Sequence, residues 1–217
     1  MKIFISYSHE DKVQVGKIKR QLEIEYGFDV FLAHEDIAPT HKWVDEIISE
    51  LRACDVFIAF LTKYFNNSDW TDQEVGFALA RGVTIIPLKV GANPHGFIGQ
   101  NQALTGYSKK VQSVCSEIIG ILIESPKLRE KLLNQLIKVF GKSSTFKRAE
   151  STFDNIMKFE DHLTIQQKNE IVRLAGKNIQ VCGSKYGARK RALNFIYKYK
   201  DDLNKEVVEF FMSRKVV

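Results

Sequence analysis

Residues 55–88, DVFIAFLTKYFNNSDWTDQEVGFALARGVTIIPL, carry the pattern from which the fold follows. The flanking runs DVFIAFL (55–61) and VTIIPL (83–88) are almost continuously apolar, as strands covered on both faces must be. Between them, residues 72–81 place Val75, Ala78 and Leu79 on one helical stripe, and Gly82 closes the run. A helix joining two fully buried strands is a parallel crossover unit. Thr71-x-x-Glu74 fits a capping box, with each side chain expected to satisfy a free backbone N–H at the helix start. That expectation accounts for Thr71 and Glu74 and leaves Trp70 unexplained.

The same alternation extends toward the N-terminus. KIFIS (2–6) and FDVFL (28–32) read as further strands. Residues 11–25 align Val15, Ile18 and Leu22, with Gly27 placed to end the helix, and residues 42–53 align Val44, Ile47, Ile48 and Leu51. Repeated strand–helix alternation predicts an α/β, flavodoxin-like, doubly wound parallel sheet. Ligands bind such sheets outside the carboxyl ends of the strands. Function is therefore expected in SYSHED (6–11), AHEDIAPTHKW (33–43), TKYFNNSDWTDQE (62–74) and KVGANPHGFIG (89–99).

Beyond Pro126 the pattern is helical only, with amphipathic runs at 128–140, 153–163, 165–176, 188–199 and 203–213. GKSST (141–145) reads as a linker. The expected organisation is an α/β domain over 1–124, a helix and linker over 125–145, and a small all-α domain over 146–217. Charge divides along similar lines. Residues 1–124 carry 12 Lys and Arg against 16 Asp and Glu, a net of −4, whereas residues 125–217 carry 20 against 10, a net of +10.

With 217 residues, 44% hydrophobic and 27% charged, the composition is that of a globular protein. IIGILI (118–123) is far short of the roughly 20 apolar residues that span a bilayer. KIFIS follows the first residue directly, without a basic segment, apolar segment and cleavage site, which argues against secretion. Cys54, Cys115 and Cys182 form no ligand spacing, so neither zinc nor a disulfide framework is expected, and the expected setting is the reducing cytoplasm. His34, His41 and His95 read as solvated loop histidines. Lys185, Arg189, Lys190 and Arg191, interleaved with Tyr186, Tyr197 and Tyr199, fit either a solvated basic face or a nucleic-acid surface, the former being expected.

Loop chemistry separates the α/β families. The third strand ends Phe60-Leu61-Thr62, without the acceptor Asp of a receiver domain, and neither a P-loop nor G-x-G-x-x-G is present. FISYS at the first strand, VFLAHEDIAP after the second, W-x-x-x-E from Trp70 to Glu74, and GFIG-x-x-QAL (96–104) together resemble a TIR (Toll/interleukin-1 receptor) domain of the bacterial type. The resemblance covers roughly residues 1–124. It implies a self-associating signalling module, and, as in NAD-cleaving and Thoeris-type defence members, an enzyme that breaks the nicotinamide–ribose bond of NAD+. Some members cyclise the ADP-ribose product into a messenger for a separate effector.

The resemblance assigns catalysis to Glu74 and contacts on the substrate to Ser8, His9, Asp36, Trp43 and Trp70. NAD+ is the implied substrate, with no further cofactor and no metal. Ala33 stands where many TIR domains have Asp, with Glu35 and Asp36 close by. Trp70 either stacks on ligand or closes its loop, and Trp43, just before its helical stripe, is expected to pack. The alternatives are a non-catalytic TIR scaffold and a nucleoside deoxyribosyltransferase-like enzyme, whose similar sheet also presents a Glu.

Overall fold

The computed structural model describes residues 1–33, 43–100, 102–184 and 187–214. They divide into two compact units, Met1–Leu128 and Arg129–Val217. The first holds β1 (Lys2–Ser6), α1 (Lys12–Tyr26), β2 (Asp29–Leu32), α2 (Trp43–Ala53), β3 (Val56–Leu61), α3 (Asp69–Arg81), β4 (Thr84–Lys89), β5 (Leu104–Thr105) and α4 (Val111–Glu124). The strands form one all-parallel sheet in the order β2-β1-β3-β4-β5. This is the doubly wound architecture expected from the alternating pattern.

Strand register sorts the core into two layers. Phe4 lies opposite both Phe31 and Phe57, stacking on Phe57 at 5.6 Å between ring centroids. Ala59, Leu61, Ile47, Leu51 and Ala78 complete that layer beneath α2 and α3. The alternate residues Ile3, Ile5, Val56 and Ile58 face the other way, the side taken by the paired helices α1 and α4. Every residue of β3 is buried, as its uninterrupted apolar sequence requires. Gly27 and Gly82 end α1 and α3 in the left-handed region, at φ 67° and 64°. IIGILI belongs to α4, whose buried face is core. No helix among the described residues is long and apolar enough to cross a membrane.

The second unit contains most of α5 (Pro126–Gly141), then α6 (Phe146–Met157), α7 (Ile165–Lys177), α8 (Ile179–Cys182), α9 (Ala188–Lys198) and α10 (Lys205–Met212). Phe140, Phe153 and Phe195 form an edge-to-face ladder through its core. A Cβ at Gly176 would stand 2.8 Å from the ring of Phe210, so this glycine sets how closely α7 and α10 approach.

Two helix boundaries differ from the sequence reading. GKSST lies inside this unit: Ser143 is buried, and the Thr145 hydroxyl accepts a hydrogen bond from Arg148 N–H, starting α6 at Phe146 rather than near 153. A polar stretch that resembles a linker is here a helix cap. α3 likewise begins at Asp69, three residues before its apolar stripe becomes visible.

Candidate active site

The early start of α3 changes what Thr71 and Glu74 do. Ser68 is the N-cap, so Thr71 lies inside the first turn and cannot cap it. Its hydroxyl instead contacts the carbonyls of Phe65 (2.8 Å) and Ser68 (2.7 Å), tying the helix to the preceding turn. Glu74 falls in the second turn, where no free N–H awaits it. The capping-box expectation is therefore corrected.

Thr71, Glu74 and Ala78 form the fully buried stripe of α3. An apolar residue is the ordinary occupant of the middle position. The carboxylate is 2% exposed, and Ser6, the last residue of β1, donates to its Oε2 at 2.5 Å. Oε1 has no hydrogen-bond partner among the described residues. A buried acceptor left unpaired is rare and destabilising, which marks a position held for something other than packing. Burial drives the Glu74 carboxyl up from 4.5 to about 7, and the Ser6 hydrogen bond pulls against that rise.

The location follows from topology. The chain leaves β1 toward β2 on one side, and β3 lies on the other. The carboxyl ends of β1 and β3 thus form the switch point where doubly wound sheets bind ligands. Ser6 ends β1, and α3 follows β3, so the Ser6–Glu74 pair stands at that point.

Trp70 precedes Glu74 by one helical turn and is 37% exposed. Trp43, at the start of α2, packs on the layer beneath α2 and α3 and meets Trp70 edge to face, with ring centroids 4.2 Å apart. The two indoles of the chain are thereby brought together. Ser8 is buried and donates to Glu10 Oε2 at 2.5 Å, whereas His9 is exposed in the short 3-10 turn that leads into α1. Among the described residues Ser6 is the sole hydrogen-bond partner of Glu74, so Ser8 and His9 are not joined to it. Asp36 lies outside the described residues, as do Glu35, His34 and His41. His95 is exposed, 3.2 Å from Asp72.

Neither Ser6 nor Asp11 is among the substrate contacts that the resemblance assigns. Asp11 is buried and accepts a hydrogen bond from Thr62 Oγ1 at 2.6 Å, just after β3. Burial raises its carboxyl above the ordinary range, the Thr62 bond opposing and the charge of Glu10 adding to the rise. The signal available was positional: Ser6 ends β1 and Asp11 follows it, at the edge where ligands bind.

Metal chemistry has no ready seat among the described residues. No group of His, Cys, Asp or Glu side chains there could hold a metal ion. Burial raises the Cys54 thiol and pushes that of Cys115 up to about 12, so neither is a ready nucleophile. A cavity of about 360 Å³, lined by residues including Lys17, Phe60, Leu88 and Tyr107, lies by β4 and β5 and does not include Glu74. In the second unit a cavity of about 840 Å³ opens between α5, α7 and α10. The basic C-terminal run is largely engaged within its own unit. Arg191 pairs with Asp154 (2.7 Å) and Glu150 (3.2 Å), Lys198 pairs with Glu160 (2.7 Å), and Arg189 lies over the ring of Phe211. Lys185 and Tyr186 lie outside the described residues.

A parallel sheet in this order, with a buried carboxylate and an indole pair at one edge, defines a doubly wound α/β module. The family model for the TIR domain matches residues 3–114, just over half the chain, and the protein belongs to that family. Among solved structures it is similar to the TIR domain of the Toll-related receptor TRR-2 from Hydra magnipapillata. The identity is 18%, over 57% of this chain and 98% of that one, with a TM-score of 0.48. No curated protein matches the chain.

Proposed function

We propose that the chain is a TIR enzyme that cleaves the nicotinamide–ribose bond of NAD+, releasing nicotinamide with ADP-ribose or a cyclic isomer of it. The observation that carries this reading is Glu74, a buried carboxylate with one unpaired oxygen at the switch point of the sheet. When the C1′–N bond breaks, its electron pair leaves with nicotinamide, which departs neutral and needs no proton. What needs help is the positive charge left on the ribose, and one ionised carboxylate supplies it. Water then adds to C1′ and releases a proton, or a nucleophile of the same molecule closes a ring.

Half ionised near neutral pH, Glu74 is poised for this work. The positively charged nicotinamide ring favours its ionised form, so substrate binding itself draws the proton away. The exposed face of Trp70, braced by Trp43, suits that cationic ring. Ser8, His9 and Asp36 are proposed contacts for the remainder of the dinucleotide. NAD+ is the substrate, and no separate cofactor is part of the proposal.

TIR domains self-associate, and a Glu74 sealed from solvent fits a resting form that association opens. The proposed setting is cytoplasmic signalling in bacterial anti-phage immunity, of the Thoeris type, with a cyclic product acting on a separate effector. The same burial also favours a second reading, a scaffold that works through TIR–TIR contacts alone. Incubating concentrated protein with NAD+, with and without a crowding agent, and separating the products by mass decides between them. Nicotinamide appearing together with ADP-ribose or its cyclic isomer supports the enzyme. No turnover in any of these conditions supports the scaffold.

A further inference from the structure

We propose that Ser6 is a positioning residue for Glu74: its hydroxyl, 2.5 Å from Oε2, pins the carboxylate so that Oε1 is the oxygen left for the substrate. The chemical consequence rests on the NAD-cleaving reading; the geometry does not.

Three observations converge. Ser6 is fully buried at the end of β1, where its register opposite Ala59 of β3 fixes its backbone. Its hydroxyl therefore meets α3 from a fixed strand position at this edge. Glu74 reaches it from the buried stripe of α3, which packs on β1, flanked by the equally buried Thr71 and Ala78. Finally, the two carboxylate oxygens are inequivalent: one is satisfied, and the other has no described partner. A carboxylate held only by packing would not distinguish them.

The hydrogen bond also sets the charge state. A hydroxyl donor stabilises the ionised carboxylate, opposing the effect of burial. The charged residues of the elements packed on α3 are Lys2 of β1 and Asp45, Glu46, Glu50 and Arg52 of α2; α3 itself adds Asp69, Asp72 and Arg81. None of them shifts Glu74, on which burial and Ser6 are the two influences. Lys2 is held by Glu50, and Arg81 by the carbonyls of Leu51 and Cys54. Among the described residues Ser6 is thus the single polar lever on this group.

The test is a carboxyl-carbon NMR titration of Glu74 in the full chain from pH 5 to 9, its signal assigned by loss in Glu74→Gln, run beside the pH–rate profile of nicotinamide release. In Ser6→Ala the Glu74 midpoint is expected to rise by about one pH unit. The rising limb of the rate profile should move with it, and the rate at high pH should fall, because the unpinned carboxylate no longer holds Oε1 toward the substrate. Ser6→Thr, which keeps the hydroxyl, should restore the midpoint. If Ser6→Ala does not fold, Ser6→Cys, a weaker donor, should move the midpoint in the same direction by less. An unmoved midpoint, or a lowered plateau without any displacement, overturns the proposal. A midpoint that moves while no form of the protein cleaves NAD+ keeps Ser6 as the holder of Glu74 and removes the NAD-cleaving reading.

Discussion

Two helices of this chain begin with the same signature, and only one uses it. Thr164-x-x-Gln167 at the start of α7 forms a reciprocal capping box: Gln167 N–H donates to Thr164 Oγ1 at 3.2 Å, and Thr164 N–H donates to Gln167 Oε1 at 3.1 Å. Thr71-x-x-Glu74 in α3 makes neither bond, because that helix starts at Asp69 and carries both residues beyond the capping positions. In α7 the acceptor side chain serves its own helix. In α3 it is released from that duty, turned into the core and handed to a serine 68 residues away. The difference shows that a local pattern defines a local role only when the helix boundary agrees with it.

The comparison is broken most forcefully at Glu74. Replacing it by Gln, which preserves size and the Ser6 contact while removing charge, should lower nicotinamide release by at least about a hundredfold. Thr164→Ala should leave turnover unchanged.

Stability should move the other way. A carboxyl raised in the fold from 4.5 to about 7 binds more protons folded than unfolded between those values. Its favourable contribution is complete below about pH 4.5 and is lost as pH rises through 7. The change corresponds to about 3 kcal/mol. Glu74→Gln should therefore be more stable than wild type by about that amount at pH 8, and indistinguishable from it at pH 4. Urea denaturation at the two pH values measures this. A pH-independent difference would sink the assignment of the burial penalty to Glu74.

The caps supply the next smaller effects. Thr164→Ala should lose about 1 kcal/mol at any pH, as the removal of a working cap does. Ser68→Ala, at an N-cap whose side chain makes no capping bond, should lose only a few tenths of that. Of similar size is Arg191→Ala, which removes partly exposed ion pairs to Asp154 and Glu150 and should change stability by about half a kcal/mol or less.

Much of the fold was legible in the sequence because burial on both faces writes itself as unbroken apolar runs. β1 and β3 fall within a residue of where those runs place them. β5 was not legible: two residues long and preceded by the short 3-10 segment Gly96–Gln100, it has no period to detect. α6 was placed late because Ser and Thr in GKSST serve linkers and caps alike, and only the bond from Arg148 tells them apart. At the site, the W-x-x-x-E motif marked Trp70 and Glu74, but a helix read from residue 72 left Trp70 outside it; only the start at Asp69 puts both on one face. Their partners could not be read. Ser6 and Trp43 come from other elements, and contacts across the sheet edge depend on register and packing rather than on spacing.

The most direct test of the central claim is the rate of nicotinamide release by concentrated wild-type protein and by Glu74→Gln, followed from pH 5 to 9. At limiting NAD+, where the rate reports the free protein, a wild-type rate that rises through about pH 7 to a plateau, with the variant flat and near background throughout, is the predicted result. NAD+ consumed by Glu74→Gln as fast as by wild type would contradict it.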